Sequence, residues 1–190
     1  MQIPGQFAEL GFFLESLIDM PEYKRIHWNR MKTNLMLKIV FTALVLVLAG
    51  PRAAWAVTVD EVLAYQKAPY GVVFEIISSD KDKLERALPK VRADIQRLKS
   101  RFPDISIAVV SHGKEQFALT SDNESEYKET HDVVRSMIAD KNVSFHVCGT
   151  FASMNNVDED EFPDYVDVAP HGPMQINNYV EFGYLKILVE

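Results

Sequence analysis

From residue 71 onward, short apolar runs of strand length alternate with longer segments that carry helical stripes. This alternation restricts the fold more than any other feature of the chain. The runs Gly71–Ser78 (GVVFEIIS), Ile105–Ser111 (ISIAVVS) and Val143–Cys148 (VSFHVC) are nearly continuous in Val, Ile and Phe. Such runs suit strands buried on both faces. Between the first two, Leu84, Leu88, Val91, Ile95 and Leu98 recur at spacings of three and four, one stripe of a helix over roughly 81–101. Pro89 lies inside that pattern, which predicts a kink or a later start. A second helix is expected over 127–140, with Tyr127, Val133, Val134, Met137 and Ile138 inward and His131 on the surface. A short helix follows Gly149-Thr150, a weaker strand covers Tyr165–Ala169, and a helix covers Met174–Phe182 with Gly183 as its C′ residue. Tyr184–Val189 is the last strand, and Val57–Lys67 is an amphipathic lead-in. Strands alternating with helices imply a parallel sheet with helices on both faces. The expected fold is therefore a flavodoxin-like five-stranded α/β domain, with strand order 2-1-3-4-5 as the natural arrangement.

The N-terminal part reads differently. Ile39–Ala49 (IVFTALVLVLA) is uncharged, but as a helix it rises only about 16 Å, against a hydrocarbon core of roughly 30 Å. Met31, Lys32 and Lys38 form a basic n-region before it. Gly50-Pro51 breaks it, and Ala54-Trp55-Ala56 supplies small residues for cleavage. This is the pattern of a signal peptide over 31–56, which predicts a periplasmic or secreted protein whose only membrane contact is that segment. Residues 1–30 precede the n-region and read as a mis-started or non-native extension. The remaining 57–190 carries 14 Lys and Arg against 23 Asp and Glu, a net charge of −9. Such a surface repels phosphate backbones, so nucleic acid is excluded as a partner class.

Chemistry is expected outside the carboxyl ends of the strands. His112 follows the second strand, Cys148 ends the third, and His171 follows the fourth, so all three belong on one rim. Cys148 is the only cysteine, which rules out an internal disulfide. Its place before a helix N-terminus favours negative charge on sulfur, whereas the plainer reading is an inert cysteine filling core space. His146, two residues away on the same strand face, reads as a packed core histidine that could instead polarise the thiol. The spacing of His112, Cys148 and His171 matches no metal motif. Neither a P-loop nor a G-x-G-x-x-G is present, so no cofactor is called for. Asp158–Glu161 reads as a solvated helix start.

The segments Ile107–Gly113 (IAVVSHG), Val143–Val157 (VSFHVCGTFASMNNV) and Tyr165–Ile187 (YVDVAPHGPMQINNYVEFGYLKI) together resemble the DsrE/DsrF-like family of sulfur-relay proteins. The resemblance covers nearly the whole of 57–190. It implies a homo-oligomer, a trimer or hexamer, in which the cysteine matching Cys148 carries a persulfide and passes sulfane sulfur to a donor or acceptor protein. His112 and the backbone N–H groups of Gly149 and Thr150 would then steady the anionic sulfur, with His171 at the binding rim. The alternative is a non-catalytic module of the same fold that binds a small ligand or metal or serves assembly.

Overall fold

The structure, a computed structural model, describes residues 56–190. The expected signal peptide and the extension before it lie outside the described residues, apart from Ala56. Helix α1 (Val59–Leu63) opens the domain behind a Thr58–Glu61 capping box. There follow β1 (Gly71–Ile76), α2 (Lys83–Arg101), β2 (Ser106–Ser111), α3 (Lys128–Ile138), β3 (Val143–Cys148), α4 (Gly149–Met154), β4 (Asp167–Ala169), α5 (Gly172–Glu181) and β5 (Tyr184–Leu188). Two 3-10 turns, Lys114–Leu119 and Ser121–Asn123, occupy the link between β2 and α3. Pro89 does not end α2, which runs through it with its solvent side outward.

All strand pairs are parallel and helices cover both faces, the flavodoxin-like α/β arrangement. The strand order, however, is 4-3-2-1-5 rather than 2-1-3-4-5. Strands β1 to β4 step in one direction, so right-handed crossovers place α2 and α3 on one face. The return from β4 to the far edge beside β1 reverses that direction and lays α5 alone across the other face.

The two faces differ accordingly. On the first, Val72, Phe74, Ile76, Ile107, Val109, Phe145 and Val147 pack against the predicted stripe of α2 and against Val134 and Met137 of α3. Each such side chain, fully buried, is worth roughly 1.5–3 kcal/mol of transfer free energy. On the second face only Val73, Ala108, Val110 and Ile176 form a buried apolar cluster. Tyr179, Val180 and Tyr184 pack against that cluster, and Glu75, His146, Cys148 and Lys186 share the face with it. Gly183 ends α5 at φ +88°, donating its N–H to the Val180 carbonyl at 2.9 Å, the left-handed C′ position expected of it.

His131 corrects the expectation of a surface residue: it is fully buried. The turn Lys114–Leu119 and the segment before β4 cover the side of α3 that periodicity left to solvent. Nε2 sits 3.0 Å from the Ala118 carbonyl, and Nδ1 meets the Tyr165 hydroxyl, so both ring nitrogens have partners.

Candidate functional site

Parallel pairing places Ser111 of β2 beside Val147 of β3. The next residues, His112 and Cys148, are therefore neighbours on adjacent strands and point to the same face, the one α5 crosses. Gly172, the first residue of α5, is wedged between them. A Cβ there would lie 2.6 Å from His112 Cβ and 3.1 Å from Cys148 Cβ, so only glycine permits this approach.

Cys148 is 3% exposed. Its Sγ accepts two backbone N–H bonds, from Gly172 at 3.2 Å and from Phe151 at 3.4 Å. These come from the first turns of two different helices, so a negative charge formed on the sulfur meets donors already in place. The backbone of Cys148 is held as firmly. Fully buried Gln116 accepts from Cys148 N at 2.7 Å and donates to the Cys148 carbonyl at 3.2 Å. Glu115, also fully buried, accepts from Ser78 N at 2.7 Å, Ser111 Oγ at 2.8 Å and Gly113 N at 2.9 Å. It thereby ties the ends of β1 and β2 together.

Over the sulfur lies a cavity of about 550 Å³, lined by Ile77, Ser78, Ser79, His112, Gly113, Lys114, Cys148, Thr150, Phe151, Met154, His171 and Pro173. It gathers His112, Cys148 and His171, the three residues expected on one rim. Its mouth is apolar: Ile77 and Met154 are both largely exposed. The donors to sulfur are not those expected, however. Thr150 N–H and Oγ1 both go to the Pro170 carbonyl, at 3.1 and 2.6 Å, and Gly149 lies beside the cavity rather than in it. The turn places Phe151, one residue further on, under the sulfur. His171 is exposed and caps α5, its Nδ1 accepting from Met174 N at 3.3 Å.

His112 has a partner that the sequence reading passed over. Its Nε2 is 3.0 Å from Glu75 Oε1, and Glu75 Oε2 is 2.8 Å from Lys186 Nζ. A charged residue within each of two apolar strand runs, GVVFEIIS and YLKILV, was the signal that each needs a partner. His112 and Lys186 together hold the Glu75 carboxyl down at about 2, the His112 hydrogen bond being the larger effect and burial opposing both.

His146 shares the face of Cys148 but turns to other groups. Nε2 lies 2.8 Å from Tyr179 Oη and 3.0 Å from Ser144 Oγ. Nδ1 is 2.8 Å from Asp167 Oδ2, close enough for an ion pair but off the line of a hydrogen bond. It is a core histidine that fastens β3 to α5. Burial keeps its pKa low, with Asp167 opposing, and burial does the same at His131.

These groups predict the acid limb of the stability curve. His131 and His146 bind protons more weakly when folded than when unfolded, so stability declines as pH falls below about 6.5. Glu75 acts lower. Its folded pKa lies below the unfolded value, so its contribution is complete above about 4.5 and is lost as pH falls toward 2. The loss is at most about 3 kcal/mol. Urea titrations of the native protein and Glu75→Gln should converge over that window. A difference independent of pH would contradict the assignment.

A second hollow of about 750 Å³ lies between α2 and α3 and includes Arg92, Lys99, Ser136 and Asp140. Lys99 and Asp140 pair across it at 2.6 Å, and it holds no reactive group. Among the described residues, no cluster of three or more His, Cys, Asp or Glu is placed to hold a metal, and no helix is long and apolar enough to cross a membrane.

No protein-family model and no curated protein matches the chain. Among solved structures it is similar to the protein of unknown function MTH1491 from Methanobacterium thermoautotrophicum. That match has 22% identity and a TM-score of 0.49, covering 63% of this chain and 98% of that one. It is also similar to the YchN protein from E. coli, with 10% identity and a TM-score of 0.47, covering 62% of this chain and 97% of that one.

Proposed function

We propose that this chain is an exported sulfur carrier of the DsrE/DsrF-like kind, which accepts sulfane sulfur as a persulfide on Cys148. The observation that carries the reading is the setting of Sγ: at the floor of an open cavity, beside His112, with the N–H groups of Gly172 and Phe151 directed at it. In the reaction, the Cys148 thiolate attacks the outer sulfur of a persulfide or polysulfide. A new S–S bond forms to Cys148, and the donor's S–S bond breaks. The donor leaves as a thiolate with the electron pair of the broken bond and takes up a proton. The terminal sulfur left on Cys148 is anionic at neutral pH and projects toward the cavity. Transfer to an acceptor thiolate repeats the exchange in reverse.

The test is incubation of the protein with inorganic polysulfide, followed by intact mass and removal of the adduct with a reductant. The expected result is a gain of one sulfur atom, reversed by the reductant and absent in Cys148→Ser. A native protein that stays unmodified would sink the proposal. The apolar mouth formed by Ile77, Phe151, Met154 and Pro173 favours a second reading, a binding module for a small apolar ligand. A protein that takes up such a ligand but no sulfur would support it.

A further inference from the structure

The residues on the second face form a row across neighbouring strands: Lys186 on β5, Glu75 on β1, His112 after β2 and Cys148 on β3. In strand order His112 thus lies between a carboxylate, which it contacts, and a thiol, from which the Gly172 backbone separates it. Its side chain is 7% exposed and lines the cavity. Nε2 is engaged by Glu75. Nδ1 has no hydrogen-bond partner among the described residues; Cys148 Sγ accepts instead from the Gly172 and Phe151 N–H groups, and both side chains line the cavity. A carboxylate accepts and does not donate, so Nε2 must carry the proton on that side. In its neutral form the imidazole is then the Nε2–H tautomer, and its lone pair is on Nδ1.

We propose that Glu75 is a positioning residue that fixes His112 in the Nε2–H tautomer, so that Nδ1 is the group that takes the proton of the Cys148 thiol. The S–H bond breaks with its electron pair left on sulfur, and the proton reaches Nδ1 by way of one water in the cavity that both residues line. The imidazolium so formed is paired with ionised Glu75, and the thiolate accepts from Gly172 and Phe151. Lys186 keeps the Glu75 carboxylate charged from its far side, 2.8 Å from Oε2. The other charged or titratable groups lining the cavity are Lys114 and His171, both exposed. The assignment takes Cys148 as the reacting group, as the proposed function does, but it does not depend on sulfur being the cargo.

Two measurements test it. Long-range 1H–15N correlation spectra of the native protein report the His112 tautomer directly, and a role of Glu75 in folding alone would not fix it. The rate of Cys148 carbamidomethylation by iodoacetamide at neutral pH reports the readiness of the thiol. The expected results are an Nε2–H tautomer in the native protein and a rate about tenfold lower in Glu75→Gln, partly restored in Glu75→Asp. A Nδ1–H tautomer in the native protein, a Glu75→Gln rate within about twofold of native, or a native Cys148 that iodoacetamide does not modify would each overturn the assignment. Failure of the sulfur-carrier reading looks different: polysulfide leaves no adduct while alkylation still depends on Glu75.

Discussion

Replacing Gln116 with leucine is expected to lower stability by about 3 kcal/mol and the melting temperature by roughly 10 °C, measured by urea and thermal unfolding. The side chain is fully buried, and both of its polar atoms serve the backbone of Cys148. Leucine fills nearly the same volume, so the cavity cost is small. The loss comes from an N–H and a carbonyl left without partners in the interior, where each unsatisfied group costs about 1–3 kcal/mol. The effect also reaches the site. β2 ends at Ser111, so no strand continues beside Cys148 on that side, and Gln116 supplies the hydrogen bonds a strand would have made. A loss below about 1 kcal/mol would mean that these two groups find other partners.

The second large effect is expected at Gly172. Gly172→Ala should cost about 2 kcal/mol, because its methyl would meet the Cβ atoms of His112 and Cys148 well inside contact distance. Those atoms are the roots of their side chains, and they move only if a strand or the start of α5 moves. The same shift would draw the Gly172 N–H away from Sγ. Gly149→Ala is the matched comparison. There the nearest atoms are the tip of Val168 at 3.2 Å, which can yield, and the Ala169 carbonyl oxygen at 3.3 Å, which must give by a few tenths of an ångström, while the backbone φ is one that alanine accepts. Its expected effect is about 1 kcal/mol or less, smaller than at Gly172. Equal effects at the two positions would remove the case for a tight wedge between histidine and cysteine. Unfolding free energies of the two variants decide it.

Much of this candidate site is legible in the sequence. The apolar runs ending at Ser111 and Cys148 placed His112 and Cys148 at strand ends, and Pro170-His171-Gly172-Pro173 placed His171 in a loop after the fourth strand, where the structure makes it the cap of a helix that starts two residues earlier than expected. Period-two alternation put His146 on the face of Cys148, and so it is. What His146 touches did not follow from that, because α5 comes from far along the chain to bring Tyr179 against it. The N–H groups of Gly149 and Thr150 were expected at the sulfur, whereas those directed at Cys148 Sγ belong to Phe151 and Gly172, since the pitch of a turn and the approach of α5 decide which N–H points inward. His131 was misplaced because a helical stripe records only the main packing partner, and two irregular segments cover its other side.

The sequence by itself determined the alternation of strands and helices, the parallel sheet, and the gathering of His112, Cys148 and His171 at one rim. Those follow from local periodicity and from the fact that parallel strands all end on the same side. Tertiary structure alone decided the strand order 4-3-2-1-5, because the permutations of a parallel sheet bury the same apolar runs with the same crossovers. That order sets β5 beside β1, brings Lys186 to Glu75, and sets Glu75 against His112. The rim was written in the strands; the row of charges leading to the thiol came from which strands became neighbours.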